Sequence, residues 1–142
     1  MFLEYYGPRV ITAAGSDVVS HPKRMIDGKL LLDVTFEQFL TYLVNGGSEE
    51  DDHWKPQTRL CRICDYRFDF LGRFETLNQD ANKIFRHLHL DLKLPEEIDY
   101  KQKTVDMLRD YYKKIPKSLM LKVFNIYKDD FLAFGYDPNK FF

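Results

Sequence analysis

The chain has 142 residues, enough for one domain with a modest core. A formal net charge of −1 excludes a global field that would recruit nucleic acid or an anionic membrane surface. Hydrophobic residues make up 44% and aromatics 15%, with 12 Phe and 9 Tyr, which excludes a disordered tail.

The opening MFLEYYGPRV has neither a basic n-region nor a long apolar run, so no secretory signal peptide is expected. Phe2, Tyr5 and Tyr6 fit a helical turn that Gly7-Pro8 should stop. Thr12 to Lys29 is rich in small residues, Gly and Pro and reads as a solvent loop, making residues 1–33 loop-rich. Thr35-Phe36-Glu37-Gln38 is a capping box. Phe36, Phe39, Leu40 and Leu43 follow at i, i+3, i+4 and i+7, which predicts an amphipathic helix ended by Asn45-Gly46-Gly47. An acidic run, Glu49 to Asp52, comes next.

Tyr66, Phe68 and Phe70 alternate with Arg67 and Asp69, the pattern of a short half-buried strand. A second capping box, Thr76-Leu77-Asn78-Gln79, predicts a helix with Leu77, Ala81, Ile84, Phe85 and Leu88 on one face. Pro95 closes the loop after it. Thr104 is placed to cap a helix bearing Val105, Leu108 and Tyr112. Pro116 separates that helix from a last one with Met120, Val123, Phe124, Tyr127 and Phe131 inside, Gly135 as its C′ residue and Pro138 as a stop. No stretch approaches the roughly 20 apolar residues of a membrane span. Several helices and one strand make a helix-rich α/β inventory. A lone strand leaves backbone groups unpaired, so it fits a chain that completes a sheet built elsewhere.

The chemistry concentrates between Asp51 and Leu77. Cys61-x-x-Cys64 supplies two of the four ligands zinc needs, and no second knuckle exists, so no metal is expected. A thioredoxin-type pair opens a helix, whereas here a strand is expected to follow. A structural disulfide or two packed thiols is the favoured reading, and the totals leave the redox compartment open. His53 sits in a polar loop, where it is either solvated or a general base. Trp54, the single Trp, is read first as core packing and second as a platform for a sugar ring. Glu75, ahead of a helix N-terminus, gains from the helix dipole without any catalytic duty. The basic stretch Lys101, Lys103, Arg109, Lys113, Lys114 and Lys117 reads as a solvated face, or as an attractor of a sulfated or carboxylated polymer. No glycine-rich phosphate loop is present.

Taken in order, Val34-Thr35-Phe36-Glu37-Gln38-Phe39-Leu40-Thr41-Tyr42-Leu43, His53-Trp54-Lys55-Pro56-Gln57, Leu60-Cys61-Arg62-Ile63-Cys64 and Tyr66 through Leu77 resemble the Golgi carbohydrate sulfotransferases. The branch is that of the chondroitin and dermatan 4-O-sulfotransferases. Asp80-Ala81-Asn82 and Tyr127 through Tyr136 continue the likeness over nearly the whole chain.

The resemblance implies a P-loop-like α/β domain with a parallel sheet. It also implies PAPS (3′-phosphoadenosine-5′-phosphosulfate) as sulfuryl donor, and a glycan acceptor such as chondroitin or dermatan. The location it implies is the Golgi lumen, behind an N-terminal membrane anchor. In an oxidising lumen Cys61 and Cys64 become disulfide cysteines. The family's two donor-binding signatures lie N-terminal to the matched region, and neither occurs here. The expectation is therefore the C-terminal part of the domain, with residues 34–142 forming its acceptor side and the chain inactive alone. His53, then Glu75, are the candidate bases, and Trp54, Gln57 and Arg73 the candidate sugar contacts. The competing expectation is a non-catalytic lumenal module that binds glycan.

Overall fold

The computed structural model describes residues 2–94 and 101–140, the side chains of 101–106 and 140 excepted. The chain starts with two short helices, α1 (Phe2–Tyr5) and α2 (Gly7–Ala13). Gly7-Pro8 does not stop helical structure as expected. Pro8 sits in the first turn of α2, where a missing N–H costs nothing. The expected solvent loop from Thr12 to Lys29 is also corrected, because it holds most of a β-hairpin. Strand β1 (Lys23–Ile26) pairs antiparallel with β2 (Lys29–Leu32), Ile26 opposite Lys29. Asp27 and Gly28 both take positive φ, 47° and 78°, as a two-residue hairpin turn requires.

Helix α3 (Phe36–Val44) forms as its capping box predicts. Thr35 Oγ1 accepts from the Gln38 amide at 3.2 Å, and Gln38 Oε1 accepts from the Thr35 amide at 2.9 Å. A single helical turn, α4 (Gln57–Leu60), follows the acidic run.

The strand expected at Tyr66–Phe70 is absent: these residues run through bends and irregular backbone. Tyr66, Phe68 and Phe70 are all exposed. Alternation becomes a strand only where a neighbour supplies hydrogen bonds, and the only sheet among the described residues is the β1–β2 hairpin.

Helix α5 (Leu77–His87) exists where predicted, but Thr76 makes no side-chain cap to it. Thr76 Oγ1 donates instead to Asp80 Oδ2 at 2.6 Å. Helix α6 (Lys101–Tyr112) contains Thr104 in its interior rather than at its start. The expected role of Pro95 lies outside the described residues. Helix α7 (Lys117–Phe134) begins after Pro116 and ends at Gly135, whose φ of 64° is the left-handed stop expected of it.

The core lies where α2, α3 and α7 meet. It comprises Val10 from α2, Leu40, Tyr42 and Leu43 from α3, and Met120 and Val123 from α7, with Ile115 beside them. Burying each such aliphatic side chain is worth about 1.5–3 kcal/mol. Against this core lies an aromatic cluster centred on Trp54. The rings of Phe2, Tyr6 and Phe39 stand edge-on to the indole, with centroids 4.7–5.6 Å away. Helix α5 is different: none of its residues is buried.

Candidate active site

Three anchors hold the segment from Asp51 to Thr58. The first is the indole. Trp54 Nε1 donates to the Gly47 carbonyl at 2.7 Å. Gly47 is needed there because a Cβ would lie 2.4 Å from the Tyr42 ring. The second is Tyr127, on α7, whose hydroxyl donates to the Trp54 carbonyl at 2.6 Å. The third is Asp130, one turn further along α7. Its carboxylate accepts from the amides of Gln57 and Thr58, each at 2.8 Å, and from the Thr58 hydroxyl at 2.6 Å. A side chain 72 residues away in sequence thus caps α4, a role that local residues usually play.

Within this frame His53 projects outward, its side chain 88% exposed. Its Nδ1 lies 2.6 Å from Asp51 Oδ1, and the same oxygen accepts from the His53 amide at 2.9 Å. The other oxygen of Asp51 accepts from Tyr6 at 2.7 Å. These hydrogen bonds, the His53 amide first, hold the Asp51 carboxyl down at about 2. Tyr6 moves the opposite way, to about 12, because its proton is engaged by Asp51.

Two of the remaining candidates lie on a cavity of about 470 Å³ between α3 and α7. Trp54 and Glu75 line it, together with Phe36, Phe124, Tyr127 and Asp130. Glu75 lies in a 3₁₀ turn (Phe74–Thr76) and accepts from the Tyr136 hydroxyl at 3.1 Å. The Arg73 guanidinium lies 5.6 Å from the centre of the Tyr136 ring. It also packs on Gly135, where a Cβ would meet Nη2 at 2.8 Å. The structure therefore joins Arg73 and Glu75 through Tyr136. His53 and Gln57 stand apart from the cavity wall.

Gln57 is exposed, and its Oε1 accepts from the Cys61 thiol at 3.8 Å. Cys61 and Cys64 are both exposed and carry free thiols, so they are not the packed thiols that one expectation allowed. No group of residues suited to a metal ion occurs among the described residues.

The cavity wall is apolar apart from Glu75, Asp130 and the Trp and Tyr polar tips. Asp130 already occupies the N-terminus of α4, and the capping box occupies that of α3. Several basic side chains pair with acids: Arg9 with Glu50, Lys29 with Glu4, Arg59 with Glu49, Arg62 with Asp65 and Lys83 with Asp80.

A family profile described as "Sulfotransferase family" matches residues 12–137. The chain belongs to the sulfotransferase family. Relatives of this sulfotransferase chain include carbohydrate sulfotransferase 12 of Xenopus laevis, 34% identical over 72% of the chain and 26% of that protein. Carbohydrate sulfotransferase 14 of Danio rerio is 35% identical over 75% and 30%. Carbohydrate sulfotransferase 11 of Rattus norvegicus is 28% identical over 97% and 40%. The chain thus spans less than half the length of these relatives. No solved structure gives a significant match. The family and the helix-rich α/β character expected of the sequence both hold. Among the described residues no helix is long and apolar enough to cross a membrane.

Sequence reasoning missed Asp51, Tyr6, Tyr127 and Asp130 as parts of this candidate site. One signal was available. Asp-x-His is the spacing at which an Asp side chain reaches the amide two residues on. Nothing in the sequence links Asp130 to Gln57.

Proposed function

We propose that these 142 residues supply the acceptor side of a carbohydrate O-sulfotransferase. The observation that carries the reading is the exposed His53 paired with Asp51 on a segment clamped to the core. His53 takes the proton from an acceptor hydroxyl, a role that suits an imidazole at neutral pH. Glu75 is the second candidate base. Trp54, Gln57 and Arg73 contribute to holding the sugar, with the rings around the cavity offering apolar faces to it. The names of the relatives support a carbohydrate acceptor, and the family resemblance points to chondroitin or dermatan in the Golgi lumen.

PAPS, the donor in this family, is assigned to residues outside these 142. That puts the donor-binding half of a P-loop-like domain upstream and leaves this chain inactive alone. The donor carries several negative charges and needs converging amides and cations. Calorimetric titration of the purified chain with PAPS is expected to show no binding, and labelled sulfate should not pass to chondroitin or dermatan. Micromolar donor affinity would overturn this division of labour.

A further inference from the structure

An exposed histidine is a free rotor unless something tethers it, and holding it in one orientation costs side-chain entropy. With 88% of its side chain in solvent, His53 gets little orientation from packing. The side-chain partner it has among the hydrogen bonds is Asp51, which is itself held from two directions. Oδ1 accepts from the His53 amide, which fixes the carboxylate against the backbone. Oδ2 accepts from Tyr6, whose ring stands edge-on to Trp54 with centroids 4.7 Å apart. The aromatic cluster therefore anchors Tyr6, Tyr6 anchors Asp51, and Asp51 reaches His53.

A carboxylate can only accept, so the 2.6 Å contact requires a proton on His53 Nδ1. In the neutral ring Nε2 then carries the lone pair, and it is the nitrogen left to face a substrate.

We propose that Asp51 is a positioning residue, backed by Tyr6, that locks His53 in the Nδ1–H tautomer with Nε2 as the proton-accepting atom. The inference rests on the reading of His53 as the base, and it names the atom that does the work. Asp51 acts through His53, without touching the acceptor.

The test is nitrogen-15 NMR of the 142-residue chain at about pH 9, well above the ordinary histidine value of about 6.5. Wild-type His53 should show a protonated Nδ1 and an unprotonated Nε2, the reverse of what an unconstrained neutral histidine prefers. Asp51→Ala should return the ring to the unconstrained ratio. Asp51→Asn keeps a carbonyl acceptor in place and should retain part of the bias. Tyr6→Phe leaves the carboxylate but removes its outer anchor, and it should give a ratio between wild type and Asp51→Ala. Trp54 fluorescence reports whether each variant keeps the aromatic cluster. A wild-type ring that favours Nε2–H would overturn the proposal, as would a ratio unchanged in a folded Asp51→Ala. The measurement needs neither donor nor acceptor, so it stands or falls separately from the sulfuryl-transfer reading.

Discussion

At the scale of single residues, Asp51 is tied to both His53 and Tyr6. Its carboxyl lies at about 2, below the reference value of 3.8. A group depressed in the folded state adds stability above its unfolded value, and that stability fades as pH falls toward the folded one. The window for Asp51 therefore runs from about pH 4 down to about pH 2. Asp80, also lowered to about 2 by Thr76, the Arg73 amide and Lys83, acts in the same window. Asp51→Asn should reduce the acid dependence of the thermal midpoint between these limits, leaving the part due to Asp80 and to the other depressed carboxyls, Glu4, Asp17 and Asp110. An acid dependence identical to wild type would show that the Asp51 hydrogen bonds do not form in solution. Tyr6 runs the other way: raised from 10 to about 12, it adds stability below pH 10 that is lost toward pH 12.

Gly47 offers a second test at this scale. Its alanine variant must displace the Tyr42 ring, which is part of the aromatic cluster and cannot swing freely. Gly47→Ala should cost about 1–3 kcal/mol in urea unfolding, an overpacking effect. A change below about 0.5 kcal/mol, the size of an ordinary surface substitution, would count against this geometry.

Among the elements, the decisive relation is between α7 and α4. Asp130 satisfies two amides at the start of α4, and Tyr127 holds the carbonyl of Trp54. Removing a cap of this kind costs about 1–2 kcal/mol, and losing one such hydroxyl bond about 0.5–1.5 kcal/mol. Asp130→Ala and Tyr127→Phe act on one segment, so the double variant should destabilise by less or more than the sum of the singles. Strict additivity in denaturant titrations would mean that the two anchors are independent.

The same pair explains what was legible in the sequence. Helices α3, α5 and α7 announced themselves because their apolar spacing and stop residues are local. The hairpin was equally local, with Asp27-Gly28 as its turn, and went unread because β1 and β2 are mostly exposed and lack clean alternation. Tyr66–Phe70 misled in the opposite direction: alternation was present, and a partner strand was not. Asp130 could not have been read at all, since its partners are set by how two helices pack.

Over the whole molecule, the core formed by α2, α3 and α7 contrasts with the region from Tyr66 to Leu94. There Tyr66, Phe68, Phe70, Leu71, Phe74, Leu77, Leu88, Leu90 and Leu92 are exposed. Exposed apolar side chains, where they gather into patches, bind environment-sensitive dyes and favour association. The purified chain should enhance the fluorescence of such a dye, and replacing Phe68 and Phe74 by Ser should reduce the enhancement without lowering the unfolding midpoint. A chain that binds no dye and unfolds sharply would show that this region packs in solution.

The central claim, that this chain carries the acceptor-side base of a sulfotransferase, is tested most directly by labelled-sulfate transfer. The 142 residues would be joined behind the upstream part of a relative such as carbohydrate sulfotransferase 11, and the fused chain assayed on desulfated chondroitin with PAPS. The fused protein should transfer sulfate. Its His53→Ala form should lose about 10²–10⁴-fold in rate, the range for a missing general base. Equal rates for the fused chain and its His53→Ala variant would contradict the account.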